Sequence, residues 1–259
     1  MSLKSDIKDN IYFPLGHTSI LGVSTTGKLY GISVGPGEPD LLTIKAKKIL
    51  DSCDVIAYPV KTAGEGSVAL NIIKPNIDLS NKEVKEYVFS MNPDYVERQK
   101  GWDKAFEDIM STLTEGKSIA MITLGDLSIF STYMRIDMMI KSKGFETELV
   151  PGVPSFCHGA SLAGIPLTMG EEALVVIPFN QSRFDALENA LDNYENIVLM
   201  KAFKHVDEIA DAVVSKGRNI SCITVMSNIG MEDQYIGPVV KGKKYGYFTT
   251  LLIKKEGKE

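Results

Sequence analysis

Three apolar strands in this chain each run straight into a glycine turn. Leu29–Val34 ends at Gly35, Ser118–Leu124 at Gly125, and Glu146–Val150 at Pro151-Gly152. Helical patterns separate them, at Leu41–Leu50, Asn92–Glu115 and Ser131–Lys143. Parallel strands need a crossover of about a dozen residues, usually a helix. The alternation therefore predicts a mainly parallel α/β sheet. In such a sheet the strands' carboxyl ends share one rim, and ligands bind beyond it.

The first turn narrows the ligand. Gly31-Ile-Ser-Val-Gly-Pro-Gly-Glu-Pro-Asp-Leu-Leu-Thr43 is a strand, a tight turn and a helix start, the usual setting of a nucleotide site. A dinucleotide fingerprint aims glycine N–H groups at a pyrophosphate. Here Pro36 interrupts the glycines and has no N–H to donate. Glu38 and Asp40 put carboxylates where phosphate would lie, and like charges repel. No G-x-x-x-x-G-K-[ST] occurs. The turn suits a ligand that is neutral or cationic at this point. S-adenosylmethionine, a phosphate-free sulfonium, fits. The bland alternative is a strand-to-helix turn with no ligand.

Other function classes fall away on composition. The chain has 259 residues, 44% hydrophobic and 24% charged, as in soluble globular proteins. A formal net charge of −5 argues against a generic nucleic-acid surface. Cys53, Cys157 and Cys222 are odd in number and far apart, so neither a disulfide framework nor a structural zinc site is expected. His17, His158 and His205 are equally dispersed, and no metal site is predicted. Free thiols point to a reducing cytoplasm. No apolar run reaches membrane-span length, and Met1 to Gly27 lacks the pattern of a signal peptide.

The remaining elements complete the organisation. Asp54–Pro59 and Glu83–Phe89 read as strands, and Ser67–Ile73 as a helix. The second half reads as a helix at Pro154–Leu162, then alternating elements at Ala173–Pro178, Arg183–Leu191, Ile197–Met200, Val206–Lys216 and Ser221–Met226. A hairpin-like pair, Tyr235–Val240 and Tyr247–Ile253, ends it, so a mixed second sheet is expected. The predicted division is an N-terminal extension over 1–27, an α/β domain over 28–150 and a second α/β domain over 151–259.

Three further segments join the opening turn. They are Thr123-Leu-Gly-Asp-Leu-Ser-Ile-Phe-Ser-Thr-Tyr133, Val150-Pro-Gly-Val-Pro-Ser-Phe-Cys-His-Gly-Ala-Ser-Leu-Ala-Gly-Ile-Pro-Leu167 and Met226-Ser-Asn-Ile-Gly-Met-Glu-Asp233. In this order the four resemble the tetrapyrrole methylases, across nearly all of Lys28 to Ile253. Tyr58-Pro-Val-Lys-Thr-Ala-Gly-Glu-Gly-Ser-Val-Ala-Leu70 and the Tyr133 end of the second motif look like the subgroup that methylates C20 of precorrin-2 or cobalt-factor II. The resemblance implies two αβα domains, an active site in the cleft between them, a homodimer, and methyl transfer from S-adenosylmethionine to a meso carbon on the way to cobalamin. S-adenosylhomocysteine would be the product. Three positions depart from the family pattern: Leu127 replaces a usual proline, Pro154 a small hydroxyl residue, and Cys157 an alanine.

The resemblance also implies roles. Pro36 would pack at the cofactor's edge, and Leu124, Gly125, Asp126 and Ile129 would line its methionine and ribose part. Val153, Pro154 and Ser155 would approach it through backbone atoms, Met200 would cover the adenine, and Asn228 and Gly230 would bind adenine through backbone groups. A carboxylate after a buried strand needs a partner; for Asp126 that is either the ligand or a helix start near Ser128. Asp126, Tyr133 and His158 are candidate bases for the proton left on the meso carbon. The tetrapyrrole substrate carries eight carboxylates, for which Lys61 and Arg135 are the first candidate partners, with Lys201, Lys204 and Arg183 behind them. Competing readings are a sibling methylase acting at another ring carbon, a non-catalytic binding protein with the same fold, and a nucleotide-dependent oxidoreductase.

Overall fold

The computed structural model describes residues 26–90 and 94–255. The N-terminal extension, apart from Thr26 and Gly27, and the predicted helix start at Asn92 lie outside the described residues.

The first half alternates strand and helix. In chain order it comprises β1 (Leu29–Ser33), α1 (Ile44–Ser52), β2 (Val55–Val60), α2 (Val68–Ile73), β3 (Glu83–Val88), α3 (Tyr95–Thr114), β4 (Ile119–Thr123), α4 (Tyr133–Lys141) and β5 (Thr147–Val150). The strands form one sheet in the order β3-β2-β4-β1-β5, with every pair parallel. Side chains alternate across a strand, and both faces are apolar here. Leu29, Val55, Ala57, Ile119 and Met121 pack under α3 and α4. Ile32, Ile56, Ala120 and Ile122 pack under α1 and α2. β4 lies between β2 and β1 and is buried at all five positions, as a central strand covered on both faces must be.

The helix after the first turn starts later than its apolar spacing suggests. Pro39–Leu41 is one turn of 3-10 helix, and α1 opens only at Ile44. Thr43 sets that start, its hydroxyl accepting the Ala46 N–H at 3.2 Å. Ile44, within the predicted helix, is 76% exposed.

The second half comprises α5 (Ser155–Ala163), β6 (Leu174–Pro178), α6 (Phe184–Asn193), β7 (Asn196–Met200), α7 (Val206–Ser215), β8 (Ile223–Ser227), β9 (Tyr235–Pro238) and β10 (Thr249–Lys254). Its sheet runs β6-β7-β10-β8-β9, with β6 parallel to β7 and the other pairs antiparallel. α6 and α7 contribute to the core on one face, and α5 packs on the other against β9 and β10. The expected hairpin does not form. β9 and β10 flank β8 on opposite sides, both reaching Ser227. Burial explains the separation. Thr249–Ile253 is buried throughout and belongs in the sheet centre. β9 is half-exposed and ends at Pro238, which suits an edge.

Candidate functional site

The three glycine turns do meet on one rim. Gly35 and Gly125 have φ of +81° and +69°, a region open to glycine at little cost. They bond to each other: the Gly35 N–H donates to the Gly125 carbonyl at 3.2 Å, and the Gly125 N–H to the Gly35 carbonyl at 2.7 Å. Asp126 ties in the third turn. Its Oδ2 accepts the Gly152 N–H at 2.8 Å. Its Oδ1 accepts the Ser128 N–H at 2.8 Å and also the Ser128 hydroxyl. Gly152 leaves no room for a side chain, because a Cβ there would lie 2.6 Å from the Ser33 Cβ and 2.8 Å from the Gly125 oxygen. These amides are therefore turned to each other and to Asp126, and no phosphate cradle is left among them.

The departure at Leu127 is compensated. Sequence reasoning expects a looser turn with a spare N–H where proline is usual. The Leu127 N–H instead donates to the Ser33 hydroxyl at 2.9 Å, and Leu127 is 3% exposed. The turn is pinned to β1 by a bond that proline could not make. Pro154 stands immediately before α5 in extended conformation (φ −64°, ψ 145°) with no side-chain cap.

Beyond the turns opens a cleft of about 670 Å³ with walls from both halves of the chain. Of the residues expected at the cofactor, Pro36, Leu124, Gly125, Asp126, Ile129, Pro154, Ser155 and Met200 line it. Val153, Asn228 and Gly230 do not, although Ile229 and Met231 do. Asn228 donates to Asp233 at 2.6 Å, and the Gly230 N–H to Gln234 at 2.8 Å. Gly230 packs directly on Gly37, where a Cβ would come within 2.6 Å of the Gly230 carbonyl.

Of the candidate cations, Lys61 and Lys201 line the cleft, and Arg98 joins them. Arg135 stands behind the wall, its guanidinium carbon 4.3 Å from the Trp102 ring centre. Lys204 and Arg183 are outside the lining.

Tyr133, a candidate base by resemblance, does not line the cleft. It is 1% exposed, packs with Leu29 and Ile109, and lies under Gly31, where a Cβ would come within 2.2 Å of its ring. Its hydroxyl has no hydrogen-bond partner among the described residues. Burial, then the nearby Asp137, push its pKa far above the ordinary range. The phenol is packed in the core beneath β1. His158 is likewise outside the lining, buried on α5 and bonded to Glu38.

Sequence reasoning missed the other wall. Phe89, Trp102 and Phe130 line it from the first half, and Tyr247 and Phe248 from the second. Trp102 tilts on Phe89 with ring centres 4.5 Å apart. The Lys61 ammonium sits 3.8 Å over the Tyr247 ring, across the boundary between halves. Trp102 is masked in the sequence by its place in an amphipathic stripe, which reads as core. In the structure, backbone conformation marks the cleft. Among the described residues, Phe130, Lys201 and Asn228 are the non-glycine residues with positive φ. Two of them line the cleft and the third adjoins it, as strain gathered at functional sites does.

The family model of the tetrapyrrole (corrin/porphyrin) methylases matches residues 28–242, the whole first sheet and the second as far as β9. The chain belongs to this family. A probable cobalt-precorrin-2 C(20)-methyltransferase of Methanocaldococcus jannaschii is 33% identical over 81% of this chain and 86% of its own length. The cobalt-precorrin-2 C(20)-methyltransferase of Salmonella typhimurium is 31% identical over 89% of this chain and 97% of its own. Among solved structures, a cobalt precorrin-4 methyltransferase superposes with a TM-score of 0.69 at 20% identity, covering 88% of this chain and 94% of that one. A uroporphyrin-III C-methyltransferase of Thermus thermophilus, solved with S-adenosylhomocysteine, gives 0.61 at 18% identity, with 87% and 97% covered. The methylase fold thus extends over both sheets. Among the described residues no group of three or more His, Cys, Asp or Glu could hold a metal, and no helix is long and apolar enough to cross a membrane.

Proposed function

We propose that this methylase transfers a methyl group from S-adenosylmethionine to C20 of precorrin-2 or cobalt-precorrin-2 in cobalamin biosynthesis. The ring position rests on the relatives named for that reaction in Methanocaldococcus, Salmonella and Sinorhizobium. The observation that carries the reading here is the asymmetry of the cleft. One wall is backbone turns with no phosphate cradle, and the other is aromatic and cationic. A flat, conjugated polyanion fits the second wall. A sulfonium nucleoside fits the first.

S-adenosylmethionine would supply an electrophilic methyl group. Pro36, Leu124, Ile129 and Met200 offer apolar surface for its nucleoside. Asp126 has one acceptor site left beyond its three bonds, since an ionised carboxylate has about four. That site suits a ribose hydroxyl or the amino group. Val153, Asn228 and Gly230 would act by shaping the turns behind this wall. Trp102, Phe89 and Tyr247 would hold the tetrapyrrole's face, with Lys61, Lys201 and Arg98 near its carboxylates and Arg135 supporting Trp102. The electron-rich meso carbon needs little activation, so the protein's main contribution is alignment and exclusion of water. Any cobalt arrives with the substrate.

The expected setting is the cytoplasm, and the expected assembly a homodimer. Exposed Leu162 and Met169, beside half-buried Ile165 and Leu167, offer apolar surface to a second copy. Sedimentation at the mass of one chain would remove the dimer. The function is tested by incubation with methyl-labelled S-adenosylmethionine and precorrin-2, with and without cobalt. Product mass should show one added methyl, and carbon NMR should place it on C20. A methyl at another ring carbon would establish the sibling reading, and no gain on either substrate would leave a binding protein.

A further inference from the structure

Glu38 follows the Pro36-Gly37 turn and reads in the sequence as a carboxylate that turns phosphate away. In the fold it has a partner from the other half of the chain. Its Oε1 lies 3.1 Å from Nε2 of His158, which is on α5 and 8% exposed. A buried imidazole needs a hydrogen-bond partner, and Glu38 supplies one while its own side chain remains 47% exposed.

The turn between them is gripped on each side. Before it, Gly35 is locked to Gly125 by the reciprocal bonds already described. After it, Gly37 and Glu38 press on Gly230, so closely that a Cβ on Gly230 would lie 2.8 Å from the Glu38 nitrogen. Pro36 is the one residue of the turn that lines the cleft. Neither Glu38 nor His158 lines it. The pair therefore acts on a ligand only through its neighbours in the lining, Pro36 beside Glu38 and, at the start of α5, Pro154, whose carbonyl accepts the His158 N–H at 3.2 Å.

We infer that the Glu38–His158 hydrogen bond is a strut between the two halves that sets Pro36 against the methyl donor, making both side chains positioning residues for cofactor binding. The inference rests on the S-adenosylmethionine reading above. A backbone-built wall cannot adjust by rotating side chains, so its position must be fixed by what anchors it. The Gly37–Gly230 contact fixes how close the halves come, and a directional bond alongside it fixes their relative slide.

The test is calorimetric titration with S-adenosylhomocysteine, with thermal unfolding in parallel. Glu38→Ala and His158→Leu should each weaken binding by about five- to ten-fold. The double variant should bind no worse than the weaker single variant, as coupled residues do. His158→Gln, whose amide can still donate to Glu38, should recover affinity to within about two-fold of the original protein. Single variants that lower the melting temperature but leave affinity unchanged would overturn the inference, reducing the pair to a structural contact. Effects that multiply in the double variant would overturn it too. If the unsubstituted protein fails to bind S-adenosylhomocysteine, the cofactor reading itself falls and takes this inference with it.

Discussion

The two walls of the cleft are made in opposite ways. The turn wall is backbone against backbone: Gly35 on Gly125, Gly37 on Gly230, and Gly152 under the Asp126 carboxylate. The aromatic part of the lining is side chains: Trp102 on Phe89 and Arg135, and Tyr247 under Lys61. A backbone wall has one shape and tolerates almost no added atom. A wall of side chains can repack, and each member contributes a share of the contact. The turn wall should therefore fail abruptly on substitution, and the side-chain wall by degrees.

Gly37→Ala is the hardest blow to the first wall. The new Cβ would lie 2.6 Å from the carbonyl carbon and oxygen of Gly230, and backbone cannot step aside as a side-chain tip can. Overpacking of this kind costs about 1–3 kcal/mol. Thermal unfolding should show that loss, and S-adenosylhomocysteine binding should fall below calorimetric detection. Unchanged binding would mean that the turn is free to move and that the two walls do not differ as stated.

Trp102→Ala attacks the second wall and should act on the other ligand. Tetrapyrrole affinity should fall by about ten-fold, which corresponds to about 1.4 kcal/mol, while S-adenosylhomocysteine affinity stays within about two-fold. Titration followed by tetrapyrrole absorbance, with calorimetry for the cofactor product, separates the two. Equal losses for both ligands would show that the walls are not divided between them. Lys61→Met should do less, about two- to five-fold on the tetrapyrrole and only at low salt, because an exposed cation is screened. An effect that persists at high salt would place Lys61 in a drier contact than its cation–π pairing with Tyr247 suggests.

The same contrast governs what could be read from sequence. The turn wall was legible because backbone turns need glycine and proline at fixed spacing. Gly35-Pro36-Gly37, Gly125-Asp126 and Pro151-Gly152 therefore stand out as motifs, and the all-parallel first sheet follows from the helices between them. Trp102, Tyr247 and Phe89 come from a helix, a loop and a strand end, more than a hundred positions apart at the extremes. Only the fold brings them together, and each alone resembles a core residue. The sequence of β10 reads as a hairpin partner of β9 for a related reason. Its central place comes from pairing with β7 on one edge and β8 on the other, long-range contacts that local sequence does not encode. The Glu38 carboxylate is visible in the sequence, but its bond to His158 joins positions 120 residues apart.

Tyr133→Phe should have the smallest effect on the cleft. The motif that ends at Tyr133 makes its hydroxyl look functional, while the structure buries it with no partner among the described residues. An unsatisfied buried hydroxyl costs about 1–3 kcal/mol. Replacing it with hydrogen removes that cost and leaves the ring against Gly31, where the close packing lies. The melting temperature should stay level or rise by about 2–4 °C for each kcal/mol recovered, and turnover should be unchanged. A fall in turnover with intact stability would put the phenol back among the reacting groups. The hydroxyl would then have to reach the cleft through β1, which means that the first sheet opens during the reaction. The core under the turn wall would in that case be less rigid than the wall itself.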